Sequence, residues 1–383
     1  MTPILVVGYH GKRNFGDDIF LHVTLSLLTE CTGVTDFLVS GCDASLPALS
    51  AGFQVAGVSK STHRISRLMW LEIMLAGLRS RSVVFAAGSI FSVIPFGLVW
   101  LSLLVLRLLK GSQFRVVALG VSTGPYRSRM ARLLSRWMFS TFDRIQLRDR
   151  QSVVDLVRLT RRELVDIAPD IALISPYFSI TPTARPDPSR RTLGICIHSR
   201  AVEANGESLD QFVAALGEAV AIRSDLERLR ILVACTDPKD GDIALSQRLI
   251  GVLRNRTDLE IDLVCYSGSN LSEFTASIQD CSCIITSRMH VGLAALCAGV
   301  STVQLDYAEK VRNVFETLGV EFALVDARVN NIRQIVDRLV RECHSEVHLR
   351  QPSDARRLLH EAAKAAAAAS KRLILTTLSG AKQ

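Results

Sequence analysis

Short apolar runs alternate along this chain with longer stretches in which apolar residues recur every three or four positions. The first kind predicts strands and the second predicts amphipathic helices. In the N-terminal half the runs are ILVVGYH, FLVSG, SVVFAAGS, RVVALGVSTGP and RIQLRD, and ELVDIAPDIAL closes the half with a short strand and turn. The stretch SPYFSITPTARPDPSRRT carries four prolines and no periodicity, and reads as a linker. The pattern then restarts with TLGICIHS, LRILVACT, IDLVCYS, CSCIITS and STVQLD as strands. The segments LDQFVAALGEAVAIR, GDIALSQRLIGVLRN, LSEFTASIQ and HVGLAALCAG form the helices between them. Strands that alternate with helices and are apolar throughout predict parallel sheets covered on both faces. The expected α/β organisation is a doubly wound domain over residues 1–175, a linker at 176–192, a second such domain over 193–345, and a helical tail at 346–383. The strand ends of both domains are expected to face a cleft, where ligands of open α/β sheets bind.

Composition narrows the partners. At 383 residues with 48% apolar content the chain can enclose two cores, and disorder is excluded for most of it. A net charge of +8 and a pI near 9.2 suit an anionic partner: nucleic acid, a membrane surface or a small anion. Aromatic content of 6% and the absence of zinc-finger spacing argue against nucleic acid. Nine scattered cysteines indicate a reducing compartment, and MTPILVVGYHG reads as a strand and turn rather than a secretion signal, so the cytoplasm is expected. Residues 60–110 add a second expectation. FSVIPFGLVWLSLLVLRLL (91–109) is either an enclosed helix or one lying in a membrane interface. The preceding Lys60, His63, Arg64, Arg67, Arg79 and Arg81 flank an apolar LMWLEIML, which suits anionic headgroups and a peripheral position on the inner face of the cytoplasmic membrane.

Five places combine strand ends with chemistry. GYHGKRNFGDD (8–18) runs from strand through glycines into a helix, where one aspartate caps the helix and the other, Asp17, is a candidate base. AAGS and GVSTGP bring the backbone at Gly88 and Gly124 to strand ends. Arg148 in LRDRQS is placed for a two-pronged contact with a carboxylate or phosphate, with pairing to Asp149 or Asp170 as the alternative. In TSRMH an apolar strand runs into Ser287, Arg288 and His290, a cation beside a titratable imidazole. Tyr307 and Lys310 follow the next strand. Cys281 with Cys283, and Cys196 with His198, resemble ligand pairs but lack partners, so no metal is expected.

Taken in order, NFGD (14–17), AAGS, GVSTGP, RDRQS, PDIAL (169–173), SRMH and the Tyr307–Lys310 pair make the chain resemble the polysaccharide pyruvyl transferase family over residues 4–320. The resemblance implies two Rossmann-like domains in a GT-B-like arrangement. It also implies transfer of the enolpyruvyl carbons of phosphoenolpyruvate onto two sugar hydroxyls of a surface-polysaccharide precursor, lipid-linked by expectation, with no cofactor. Under it Arg148 and Arg288 clamp the donor anion, His290 protonates carbon three and Asp17 activates a hydroxyl. Ser287, Asn14, Gly88, Gly124, Tyr307 and Lys310 line the substrate. The chain departs from the family in having Ala86 and Ala87 before Gly88, and Val121-Ser122 in the later turn. Two rivals stand beside it. A sugar-nucleotide glycosyltransferase of the same fold commonly carries a glutamate in the helix after the histidine, whereas VGLAALCAG has no acid. A non-catalytic membrane-associated assembly protein is the other.

Overall fold

Most of the apolar runs become parallel strands whose faces are both enclosed, while the edge strands Val165–Ile167 and Glu260–Cys265 stay partly open. In the first sheet β1 (Ile4–Val7) has no solvent-exposed side chain. It is joined by β2 (Asp36–Val39), β3 (Gln54–Gly57), β4 (Ser82–Phe85), β5 (Arg115–Val121), β6 (Arg144–Leu147) and β7 (Val165–Ile167). Their order is β3-β2-β1-β4-β5-β6-β7, and every pairing is parallel. Helices α1 (Phe15–Thr32), α2 (Met69–Arg79), α3 (Phe96–Lys110), α4 (Arg129–Phe139) and α5 (Arg150–Val157) belong to this half of the chain. The computed structural model describes residues 2–40, 52–58, 69–88, 90–92, 96–126, 128–178, 192–203, 209–221, 226–238, 241–326 and 346–378. Lys60, His63, Arg64, Arg67 and most of the expected linker lie outside them.

The second sheet comprises β8 (Thr192–Cys196), β9 (Arg228–Val233), β10 (Glu260–Cys265), β11 (Cys283–Thr286), β12 (Ser301–Asp306) and β13 (Leu324–Asp326). These lie in the order β10-β9-β8-β11-β12-β13, again wholly parallel. Its helices are α6 (Ser199–Glu203), α7 (Leu209–Ala221), α8 (Ile243–Arg254), α9 (Leu271–Gln279), α10 (Met289–Ala298) and α11 (Glu309–Leu318), and α12 (Glu346–Leu378) closes the described chain. Strands β3 and β13 have no counterpart in the apolar pattern. β3 is a largely exposed edge strand, and β13 is three residues long.

The chain divides into two compact units that are not contiguous in sequence. Unit one holds Met1–Lys12, Asp17–Ser175 and Ala362–Gln383, and unit two holds Arg13–Gly16 and Pro176–Glu361. Unit one centres on Leu5, Val7, Val83 and Phe85, with Phe91 edge-on to Phe139 at 5.1 Å. Unit two centres on Leu193, Ile195, Ile231, Leu249, Ile285 and Val303. In each sheet the chain winds outward in opposite directions from two adjacent strands, β1 and β4 in one and β8 and β11 in the other. The carboxyl ends of such strand pairs are where doubly wound sheets hold ligands.

Helix α3 is enclosed on one face only. Val99, Leu103 and Leu106 enter the core, while Leu98, Leu101, Leu108 and Leu109 are exposed. Among the described residues no helix is long and apolar enough to cross a membrane.

Unit one ties four of the sequence motifs together beneath its strand ends. The Arg148 guanidinium is 2% exposed; its Nη1 donates to Oδ2 of Asp170 at 2.7 Å and its Nε to Oγ of Ser122 at 2.8 Å. Ser122 in turn donates to Asp149 at 2.7 Å, and Asp149 caps α5 through the Ser152 amide. The guanidinium lies across Gly88, where a Cβ would fall 2.4 Å from Nη1. The pairing with Asp170, weighed in the sequence as the alternative to anion binding, is the contact this arginine makes. Removing one partner of such a pair strands the other charge and costs about 3–5 kcal/mol. Asp170→Ala is therefore expected to lower the unfolding free energy by about that much in urea titration. A loss under about 1 kcal/mol, the usual value of a surface pair, would show that the pair does not hold the unit together.

Candidate functional site

The carboxyl ends of β8 and β11 carry the densest chemistry in unit two. Strand β11 ends in Thr286, whose hydroxyl accepts from the Arg288 amide at 2.9 Å and turns the chain into α10. Ser287 is buried, and its Oγ accepts the His198 amide at 2.7 Å, which pins the end of β8 to the end of β11. Arg288 is the residue at the start of α10 and is 17% exposed. Its Nη2 donates to Oδ1 of Asp242 at 2.5 Å and its Nε to Oδ2 at 2.9 Å, a two-pronged contact. Asp242 itself begins α8 without using its side chain as a cap, so the carboxylate is committed to the arginine. Burial alone would make Arg288 easier to deprotonate; the adjacent Asp242 reverses this and holds it firmly charged.

His198 stands beside this pair. Its Nδ1 accepts the Arg200 amide at 3.0 Å, so the neutral ring carries its proton on Nε2. Its ring stacks on Tyr307 at 6.2 Å with 6° between planes. Burial first, then the charges of Arg288, Arg200 and Lys310, push its pKa from 6.5 down to about 3. Tyr307 is pushed upward by burial, against the pull of Arg288 and Arg200. Three cations thus act on one neutral imidazole, and one enclosed carboxylate offsets one of them. Such a place favours an anion of two or more charges.

The N-terminal motif enters the same unit. Arg13–Gly16 runs antiparallel past the end of β9, with the Phe15 amide donating to Ala234 O at 2.9 Å and the Thr236 amide to Arg13 O at 3.1 Å. The Asn14 side chain accepts the Gly16 amide at 3.2 Å and so shapes this turn. Phe15 is buried beside Phe274, Tyr266 and Phe178, at 4.9, 5.7 and 6.4 Å. Gly16 lies flat against His290: a Cβ there would sit 2.1 Å from Nδ1. The absence of a side chain at residue 16 is what seats the imidazole.

Unit two therefore brings together Ser287, Arg288, His290, Tyr307, Lys310 and Asn14 from the expected set. Arg148, Gly88, Gly124 and Asp17 belong to unit one. Gly124 has φ +78°, and a Cβ there would meet Asp155 at 2.4 Å. Asp17 follows Gly16 directly, and its charge adds to the burial that raises the Tyr9 phenol. His198, Arg200 and Asp242 were missed. The sequence pairs His198 only with Cys196 and shows no further ligand for the two; the adjacency of β8 to β11 is what supplies its neighbours. Cys196, Cys281 and Cys297 are pushed up to about 12, chiefly by burial, and remain thiols. Among the described residues no group of three or more His, Cys, Asp or Glu is placed to hold a metal.

The family described as polysaccharide pyruvyl transferase matches residues 14–309, from the turn that seats His290 to the start of α11. The chain belongs to this family. No curated protein matches it. UDP-GlcNAc 2-epimerase from Neisseria meningitidis, bound to UDP-GlcNAc, is similar with a TM-score of 0.59 at 11% identity, over 94% of this chain and 99% of that one. Anabaena HepE in complex with UDP and glucose has a TM-score of 0.58 at 13% identity, over 99% and 100%. S. aureus MnaA with UDP has a TM-score of 0.63 at 12% identity, over 98% and 95%. At such identities the likeness concerns fold alone: this pyruvyl transferase family member has the GT-B type of architecture, two parallel α/β sheets.

Two outcomes follow from the site. Gly16→Ala forces the His290 ring from its seat, and the ring nitrogen resonances of His290 are expected to shift while the fold persists; unchanged resonances would refute the seating. His198 resists protonation until about pH 3, whereas the unfolded chain takes up the proton near pH 6.5. Its contribution is intact above that value and is lost as pH falls from 6.5 toward 3. Denaturant titrations of His198→Asn should accordingly show a flatter fall in stability over that range than the parent chain, and equal slopes would contradict the assignment.

Proposed function

We propose that this chain transfers the enolpyruvyl carbons of phosphoenolpyruvate onto two hydroxyls of a lipid-linked saccharide, giving a pyruvate ketal and free phosphate. The observation that supports this reading most is that Arg288 at the end of β11 stands beside His198 at the end of β8, with Arg200 and Lys310 near enough to lower that imidazole's pKa. Phosphoenolpyruvate is small and carries up to three negative charges, which those cations suit. Helix α10, which follows Arg288, contains no carboxylate, which favours a compact anion over a nucleotide sugar. No cofactor or metal enters the scheme.

In the proposed reaction His290 gives a proton to carbon three, which makes carbon two electrophilic. A sugar hydroxyl adds to carbon two, its proton passing to a base, for which Asp17 is the candidate. The carbon–oxygen bond to phosphate breaks, and a second hydroxyl adds to carbon two and releases its proton. One hydroxyl proton thus balances the one placed on carbon three, and the other leaves with phosphate. His198 stays neutral in this scheme and serves as a hydrogen-bond donor through Nε2. Arg148, engaged by Asp170, is not asked to hold the donor. Tyr307, Ser287 and Asn14 are assigned to the donor side.

The test is incubation with phosphoenolpyruvate and a panel of lipid-linked oligosaccharides, with phosphate release and acceptor mass as readouts. His290→Ala is expected to lower kcat about 10²–10⁴-fold, the usual worth of general acid catalysis. Arg200→Ala is expected to raise KM for phosphoenolpyruvate about tenfold, the worth of one charged hydrogen bond. Turnover of a nucleotide sugar without phosphoenolpyruvate would replace the reading with glycosyl transfer, and no turnover of either would favour a non-catalytic assembly protein.

A further inference from the structure

Unit one carries an exposed apolar layer that the reaction above does not use. Helices α2, α3 and α4 lie side by side. The Ser102 hydroxyl of α3 donates to Trp70 O of α2 at 2.8 Å, and Trp100 of α3 packs on Trp137 of α4 at 5.5 Å. Many of their outward positions are apolar. Leu75 and Leu78 are exposed on α2, and Leu98, Leu101, Leu108 and Leu109 on α3, Leu108 to 76%. On α4, Met130, Leu133 and Trp137 form a stripe at helical spacing, exposed to 63%, 42% and 42%. Directly beside it runs a second stripe, Arg129, Arg132 and Arg136, also exposed. A monomer gains nothing by presenting so many large side chains to water, and exposed apolar side chains gathered on three adjoining helices mark a docking surface.

Charge identifies the occupant. From residue 73 to residue 142 the chain has no aspartate or glutamate, while it has nine arginines and lysines. Two copies of this face would press arginine against arginine with no carboxylate between them, which disfavours self-association. Nucleic acid would answer the arginines and leave the leucines in water. A bilayer with anionic lipids answers both, since the apolar stripes enter the acyl boundary and the arginines reach lipid phosphates. We propose that α2, α3 and α4 together dock this chain onto an anionic phospholipid bilayer, the helices lying in the plane of its surface. α3 has 15 residues, about 22 Å of helix, and lies along such a surface rather than through it. The proposal needs no assumption about the reaction catalysed.

Flotation of the full chain with vesicles of phosphatidylcholine, with and without phosphatidylglycerol, tests it. The chain is expected to float with the anionic vesicles, to be released by high salt, and to show blue-shifted tryptophan emission when bound. Replacing Arg129, Arg132 and Arg136 together by serine is expected to weaken partition about 100-fold, at the worth of a basic residue near an anionic surface. Leu133→Asp with Trp137→Asp is expected to abolish the emission shift. Since all five residues are exposed, these variants should retain the parent's circular dichroism. A parent chain that stays with the pellet, or a dimer in vesicle-free buffer that Leu133→Asp dissociates, would overturn the proposal.

Discussion

Asp242 is almost wholly enclosed; burial pushes its carboxyl upward, and the two-pronged contact with the Arg288 guanidinium pulls the other way. That contact sets the geometry around it. It draws the loop before α8 to the end of β11, while the buried Ser287 hydroxyl binds the end of β8 from the other side. His198, Tyr307 and Arg200 then have little freedom left, because their strands and turns are already fixed. The pair also governs the electrostatics, since a lone guanidinium would repel its cationic neighbours more strongly. With Arg288 offset by Asp242, Arg200 and Lys310 remain as the surplus positive charge beside His198.

Much of the fold was legible because strands enclosed on both faces, such as β1, β4, β8 and β11, are largely apolar, and even the less enclosed β7 and β10 keep apolar residues between turn signals. β3 escaped because an edge strand exposed to water has no need of apolar residues, and β13 because three residues make no pattern. The site was legible in part for a related reason. SRMH interrupts an apolar strand-to-helix passage with charge, which local sequence displays. His198 and Asp242 lie roughly ninety and forty-five positions upstream of that motif in apolar or loop contexts, and only strand order brings them to it. Strand order is a non-local property that pattern reading does not supply.

Arg148 illustrates the converse difficulty. A guanidinium at a strand end looks the same in sequence whether it awaits a ligand or braces a loop. Its 2% exposure and its engagement by Asp170 and Ser122 decide the matter for the contacts it makes here. The motifs through which the chain resembles its family thus divide physically. AAGS, GVSTGP, RDRQS and PDIAL meet as one buried hydrogen-bonded network in unit one, whereas NFG and SRMH meet at the imidazole in unit two.

The excursion of Arg13–Gly16 into unit two has a consequence for biosynthesis. These four residues are made long before Phe274, which completes the aromatic cluster that receives Phe15. The last turns of α12, made after every strand of unit two, belong to unit one, where Ser370 donates to the enclosed Gln146 side chain. Unit one therefore cannot be completed until unit two has been made, unlike the domain-by-domain order that vectorial synthesis ordinarily allows. A gene divided at the sheet boundary would yield two incomplete fragments, each lacking a strip of chain encoded in the other.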